Sequence, residues 1–457
     1  MRRDWYFCAE FMNPLQWYLI AGIVLCAMAI AATLVRRLPL SSAMVYLPIG
    51  WALGSHGLKA IHIDILNDAA VVEQVTTAII LISLFSAGLK MRVAITSRLW
   101  FLTLRLAFLS MLITVGLIAL AGIFLFGLPT GVAILIGGML APTDPVLASD
   151  VQVENPYQLG ALRFGLTSEA GMNDGSAFPF VILGLMLLTK PTGSADLWRW
   201  FGVNFCWGTI AGVVVGFGVA ALVGKYVLHL RTVHRAAVGL GFFLAPGLIA
   251  LSYALGELVH GYGFLSVFAC AVTLRWLEMK SGNPGKVPEL PLINVSKDAR
   301  FEAAVDPSTA PVFLVELLLQ FTSELEQIGE LVIVIIVGAL LTPATLVGRN
   351  IADLLLLFFV IRPVAIFVAL ARTPLGLAER GLIGWFGIRG IGSLYYLAYA
   401  IQNGLPRSRT EAVANTVLAA IAMSVAMHGI TVTPLMNWYK TRRQANLLKP
   451  EEHTLSR

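Results

Sequence analysis

Long apolar runs, separated by short polar stretches that hold most of the Lys and Arg, divide the chain into about thirteen segments. They lie near 14–35, 41–55, 71–89, 99–127, 130–150, 161–188, 199–224, 235–258, 262–277, 310–341, 350–371, 381–402 and 412–437. Most are about 17–28 residues long, which a helix rising about 1.5 Å per residue needs to cross about 30 Å of hydrocarbon. The second and ninth are short for a full crossing, and the tenth is long enough to include an interfacial piece. The pattern predicts an all-α polytopic membrane protein with about 13 transmembrane helices.

Composition agrees: 58% of residues are hydrophobic and only 13% charged, with a mean hydropathy of +0.80, whereas soluble domains average roughly 25% charged residues. A net charge of +6 could point to nucleic acid. The basic residues, however, sit at the ends of apolar runs, which is the membrane-topology pattern, so no nucleic-acid partner is expected. One set of loops holds Lys90, Arg92, Arg98, Arg163, Arg231, Lys280, Arg300, Arg372, Lys440 and others, and the opposite set only Arg2, Arg3, Lys59, Lys190, Arg199, Arg349, Arg407 and Arg409. The asymmetry predicts a plasma (inner) membrane protein with its N-terminus outside and its C-terminus cytoplasmic, with Arg2 and Arg3 dissenting. Residues 1–13 lack a clear cleavage site, so the first run reads as a retained span. Cys8, Cys26, Cys206 and Cys270 form no CxxC pair, and neither a disulfide framework nor a zinc site is expected. The polar connection 278–307 reads as a surface loop, and the residues after Tyr439 leave no room for a regulatory domain.

The segments group into a single transmembrane domain over 1–437, with repeat one at about 14–188, a linker helix at about 199–224, repeat two at about 235–437, and a short cytoplasmic tail at 438–457. The linker would let two six-helix repeats take inverted orientations, an arrangement that places the substrate site on helices broken at corresponding positions. The fifth segment is interrupted by Pro142, Thr143, Asp144 and Pro145, and the twelfth by Gly384, Gly387, Arg389, Gly390 and Gly392, predicting two discontinuous crossing helices. Opened half-helices expose positive N-terminal and negative C-terminal ends; Asp144 suits the former and Arg389 the latter. The alternative is that TDP is an extracellular turn and GIRG a loop end.

The chemistry concentrates in LTSEAGMNDGSAFPF of the sixth segment, where Glu169, Asn173 and Asp174 sit in an apolar helix. An ionised side chain there costs about 2.5–3.5 kcal/mol on insertion scales unless it meets a partner, a wet cavity or an ion. At about 100° per residue, Glu169 and Asn173 share a face while Asp174 points about a quarter-turn from Asn173. The two carboxylates therefore need different partners. Arg362, deep in the eleventh segment, calls for a buried Glu169–Arg362 pair joining the two halves; the alternative is a partner for Glu169 in the seventh or eighth segment. Asp174 is then left unpaired, to hold a proton or a small monovalent cation whose other ligands are water, carbonyls and the Asn173 amide. Glu257 either lines the same cavity or is interfacial. No HxxxH or HExxH spacing occurs, His428 reads as a core residue, and the Gly-rich runs lack the GK[ST] of a phosphate loop.

In order along the chain, APTDPVLASD, SEAGMNDGSAF, LSYALGELVHGYGFLSVF, IGELVIVIIVGALL, IRP and GIRGIGSL resemble the monovalent cation/proton antiporters of the NhaP and sodium/proton exchanger branch. The resemblance implies a thirteen-span inverted-repeat fold, a homodimer, and alternating access by a core domain moving against a dimerisation domain. Asp174 would be the ion- and proton-binding aspartate and Asn173 its neighbour, with Thr143 and Asp144 on the unwound crossing helix, Glu169 and Arg362 the buried pair, and Arg389 on the partner crossing helix. An Asn-Asp pair implies electroneutral exchange of one cation for one proton. The family's GES at this place is replaced by Ser168, Glu169 and Ala170, so the hydroxyl expected one turn before Asp174 is missing, and Ser168, Ser176 or water would substitute. The expectation is a secondary active antiporter, not an enzyme, without bound cofactor, whose partners are Na+, K+ or Li+, the proton and the bilayer. Two alternatives remain: a cation channel, and an intramembrane aspartyl protease using Asp144 and Asp174, against which the lack of GxGD and the Pro-broken helix speak.

Overall fold

A computed structural model describes residues 14–35, 41–148, 151–153, 160–236, 241–281, 297–346 and 348–447. Arg2, Arg3 and Cys8, the centre of the 278–307 connection and the tail beyond 447 lie outside the described residues. Among the described residues the protein is all-α, without strands. The helices are α1 (Pro14–Val35), α2 (Ser42–Leu53), α3 (Ala69–Lys90), α4 (Leu99–Phe124), α5 (Thr130–Leu140), α6 (Ala161–Thr189), α7 (Ser194–His234), α8 (Gly241–Leu258), α9 (Gly263–Ser281), α10 (Lys297–Val305), α11 (Ala310–Leu340), α12 (Ile351–Ala369), α13 (Leu377–Trp385), α14 (Ile391–Gln402) and α15 (Arg407–Leu447).

Every predicted apolar segment contains helix. Seven helices among the described residues, α3, α4, α6, α7, α8, α12 and α15, are long and apolar enough to cross a membrane by length and composition. Helix α11 is longer than most of these but carries Glu316, Glu324, Glu326 and Glu330 along its length.

Three boundaries differ from the expectation. The helix of the seventh segment runs on to His234 and the last helix to Leu447, because a basic residue at the end of an apolar run marks the membrane edge without ending the helix. In the 278–307 connection, Lys297–Val305 is helical, with Ala304 packed on Phe313 of α11.

Two segments are broken where Pro and Gly interrupt them. Helix α5 ends with Ala141 N–H donating to Gly137 O at 2.9 Å; Pro142 has no N–H to continue the ladder, and the chain turns through 141–148. Helices α13 and α14 are separated by the non-helical 386–390. The breaks meet, since Asp144 N–H donates to Ile388 O at 2.8 Å. Around the crossing, α6 packs on α5, α13 and α14, and α3 packs on α6, α11 and α14.

Candidate ion site at the crossing of two broken helices

Asp144 is 1% exposed. Its Oδ1 accepts from Val146 N–H at 2.7 Å and Leu147 N–H at 3.2 Å, and its Oδ2 accepts from Ile391 N–H, the first residue of α14. The carboxylate of one break thus caps the positive end of the half-helix that follows the other. Gly390 makes the approach possible, because a Cβ there would collide with the Asp144 carboxylate. Arg389, fully buried, donates Nη1–H to Gly387 O at 2.9 Å, and its backbone N–H donates to Ser424 Oγ at 2.8 Å.

Helix α6 runs past this crossing and brings three polar groups to it. Arg362 of α12 grips Glu169 in bidentate fashion, Nη1 to Oε1 at 2.6 Å and Nη2 to Oε2 at 2.8 Å, and adds bonds to Ser110 Oγ and Ile383 O. Asn173 donates Nδ2–H to Thr143 Oγ1 at 2.7 Å, tying α6 to the first break; its Oδ1 has no partner among the described residues. Asp174 is 1% exposed, and neither carboxylate oxygen has a hydrogen-bond partner among the described residues. Gly392 faces it: a Cβ there would stand 2.6 Å from Oδ1.

The structure does not bring Ser168 to this set. Its hydroxyl donates to Gly165 O at 3.1 Å, and the six residues separating it from Asp174 turn a helix through about 600° and advance it about 9 Å, so the two side chains leave α6 in different directions. Ser176 is likewise occupied, donating to Ala107 O at 2.6 Å. Glu257 is exposed at the end of α8, where its Oε1 accepts from Gly263 N–H at 2.9 Å and caps α9. It also borders a small cavity with Gly175, Phe178 and Tyr395, whose lining does not include Asp174. On the same cavity Phe178, one turn after Asp174 on α6, packs on Tyr262 at 5.3 Å, and it also packs on Tyr399 at 4.9 Å. His428 is buried, with Nδ1 and Nε2 each 2.8 Å from a carbonyl oxygen, of Ser424 and Trp385.

Two residues at the site, Tyr396 and Ser393, were not singled out from the sequence, and Gly392 was read only as a helix interruption. Tyr396 donates its hydroxyl to the Asp174 carbonyl, Gly392 shapes the space beside the carboxylate, and the Ser393 hydroxyl is buried without a partner among the described residues. All three belong to GSLYY, and each sits at or one to four residues after a glycine already read as a helix interruption.

The family described as sodium/hydrogen exchanger, transmembrane, matches residues 23–438. The chain belongs to that family. Among curated proteins it is 23% identical over 424 residues to the K(+)/H(+) antiporter NhaP2 of Shewanella oneidensis and 22% identical over 433 residues to the K(+)/H(+) antiporter NhaP of Alkalimonas amylolytica. Each match covers 92% of this chain and 66% of the relative, so the chain spans just under two thirds of their length. Among solved structures, the sodium proton antiporter MjNhaP1 from Methanocaldococcus jannaschii superposes with a TM-score of 0.67 at 18% identity, covering 96% of this chain and 100% of that one. The sodium/hydrogen exchanger family and the MjNhaP1 fold thus frame the site geometry above.

Proposed function

We propose that this exchanger-family protein is a secondary active antiporter that carries one monovalent cation (Na+, K+ or Li+) or one proton at a time on Asp174. The observation that carries the reading is the uncovered carboxylate of Asp174 inside a charge cluster that is otherwise balanced. Three buried carboxylates, Asp144, Glu169 and Asp174, face two buried guanidiniums, Arg362 and Arg389. With all five ionised the cluster holds one uncompensated negative charge, and a single proton or a single monovalent cation cancels it. An empty site would have to move that bare charge through a low-dielectric interface, which is costly, whereas either loaded form moves neutral. Obligatory one-for-one, electroneutral exchange follows from that difference.

The carboxylate oxygens of Asp174, the Oδ1 of Asn173 and the oxygen of Thr143 are the donors that would hold the cation, with water completing the shell. Asp144 and Arg389 hold the two half-helix ends together, and Glu169 with Arg362 braces the core. The inverted-repeat reading is supported by π-helical turns at Arg105–Ser110 in α4 and Leu357–Ile361 in α12, which occupy corresponding places in the two proposed repeats, as the two breaks do. We place the protein in the plasma membrane with a cytoplasmic C-terminus and thirteen crossings, working as a homodimer without a resident cofactor. Transport, not chemical catalysis, is its activity.

The alternatives fit the geometry less well. A dyad protease needs two carboxylates sharing a proton, but both oxygens of Asp144 already accept backbone N–H groups. A channel needs a continuous path, but Asp174 is 1% exposed. The test is collapse of a pH gradient in proteoliposomes, read by a trapped dye, on adding Na+, K+ or Li+ in turn. Recovery with at least one cation, at a rate independent of a clamped membrane potential, is the expected outcome and names the ion. Recovery that carries current, or none with any cation in folded protein, overturns the reading.

A further inference from the structure

A second carboxylate is placed like a landing point on the way to the site. Glu326 lies midway along α11 and is 6% exposed. Its Oε2 accepts from Ser86 Oγ at 2.8 Å and from Lys90 Nζ at 3.2 Å, while its Oε1 is buried with no partner among the described residues. Lys90 is the last residue of α3, and its side chain is 13% exposed, so the ammonium stands between Glu326 and the solvent.

The next steps along α11 lead to the crossing. Glu330, one turn on, accepts from Ser42 Oγ at 2.6 Å. One further turn brings Ile333, Val334 and Val337 against Leu147, Gly390 and Ile391, the backbone around the Asp144 cap. Glu326 is also within electrostatic reach of Asp144. Helix α3, which ends at Lys90, touches α11, α6 and α14, so the element carrying the ammonium packs on the helix carrying Asp174. A buried carboxylate with one oxygen held by an ammonium and the other without a partner among the described residues, on a helix that packs against the crossing, can take a monovalent cation in place of the ammonium.

We propose that Glu326 is an entry site for the transported cation on the Lys90 side of the protein, and that the Lys90 ammonium is the tethered cation which the incoming ion displaces. Lys90 then keeps Glu326 compensated between transport events, while its competition sets the affinity for entry from that face. The proposal rests on the antiporter reading.

Cation dependence of exchange, measured separately from each face in oriented proteoliposomes of the full chain, tests it. Lys90→Met removes the competitor and lowers the apparent KM for the cation at the Lys90 face by about threefold, whereas Glu326→Gln raises it by about tenfold. Glu326→Asp, which keeps the charge, recovers most of that loss. In each variant the KM at the opposite face stays where it was. The proposal is overturned if Glu326→Gln shifts both faces alike, or if the variants lower thermal stability and maximal rate while the KM of the Lys90 face is unmoved, since Lys90–Glu326 is then a structural brace. Wild-type exchange and Asp174→Asn run alongside separate the two ideas: no exchange in the wild type sinks the antiporter reading, exchange surviving in Asp174→Asn sinks Asp174 as its carrier, and exchange lost in that variant with an unmoved KM in the Glu326 variants sinks only the entry site.

Discussion

Glu169 and Asp174 lie five residues apart on one helix, 2% and 1% exposed, yet they are treated in opposite ways. Glu169 meets the guanidinium of Arg362 at 2.6 and 2.8 Å, so its charge is cancelled permanently. Asp174 meets Gly392, which has no side chain to offer, and under the proposed function its charge is cancelled only by what arrives. The lesson is that burial by itself assigns no role to a carboxylate; the group opposite decides between brace and carrier.

The contrast can be broken at either end. Asp174→Asn removes the carboxylate proposed to carry the ion and should reduce exchange to the liposome background, with the protein still folded by size-exclusion chromatography. Breaking the brace acts on stability instead. Glu169→Gln or Arg362→Met leaves one buried charge alone and should cost about 3–5 kcal/mol, seen as a lowered melting temperature in detergent, while Glu169→Gln together with Arg362→Met restores much of the loss. Gly392→Ala tests the space beside the carrier: a methyl group 2.6 Å from Asp174 Oδ1 should raise the cation KM severalfold with little change in melting temperature. The smallest effect is expected of Thr143→Val, which deletes one hydrogen bond to Asn173, worth about 1 kcal/mol or roughly a fivefold change in cation KM. Because the proton competes for the same oxygens, the wild-type cation KM should rise as pH is lowered, and plots of rate against cation concentration at different pH should share one maximal rate.

How much of this was legible in the sequence depended on distance along the chain. The two breaks could be read because Pro142, Pro145 and the glycines from Gly384 to Gly392 interrupt apolar runs, and Pro and Gly act on the backbone locally. The approach of Glu169 to Arg362 could be anticipated because each is an isolated charge deep in an apolar run and needs an opposite one. Ser168 shows the limit of reading along one helix: its hydroxyl donates to Gly165 O, and helical rotation turns it away from Asp174. Gly392 beside Asp174 and Lys90 beside Glu326 join residues more than two hundred positions apart, and such contacts are set by how helices cross, which periodicity does not encode.

The claim that one carboxylate serves both ligands is tested most directly by counting protons released when the cation binds to purified protein in weakly buffered detergent solution. Close to one proton released per cation bound, and none from Asp174→Asn, is the predicted result. Binding without release, or release that persists in Asp174→Asn, would contradict it.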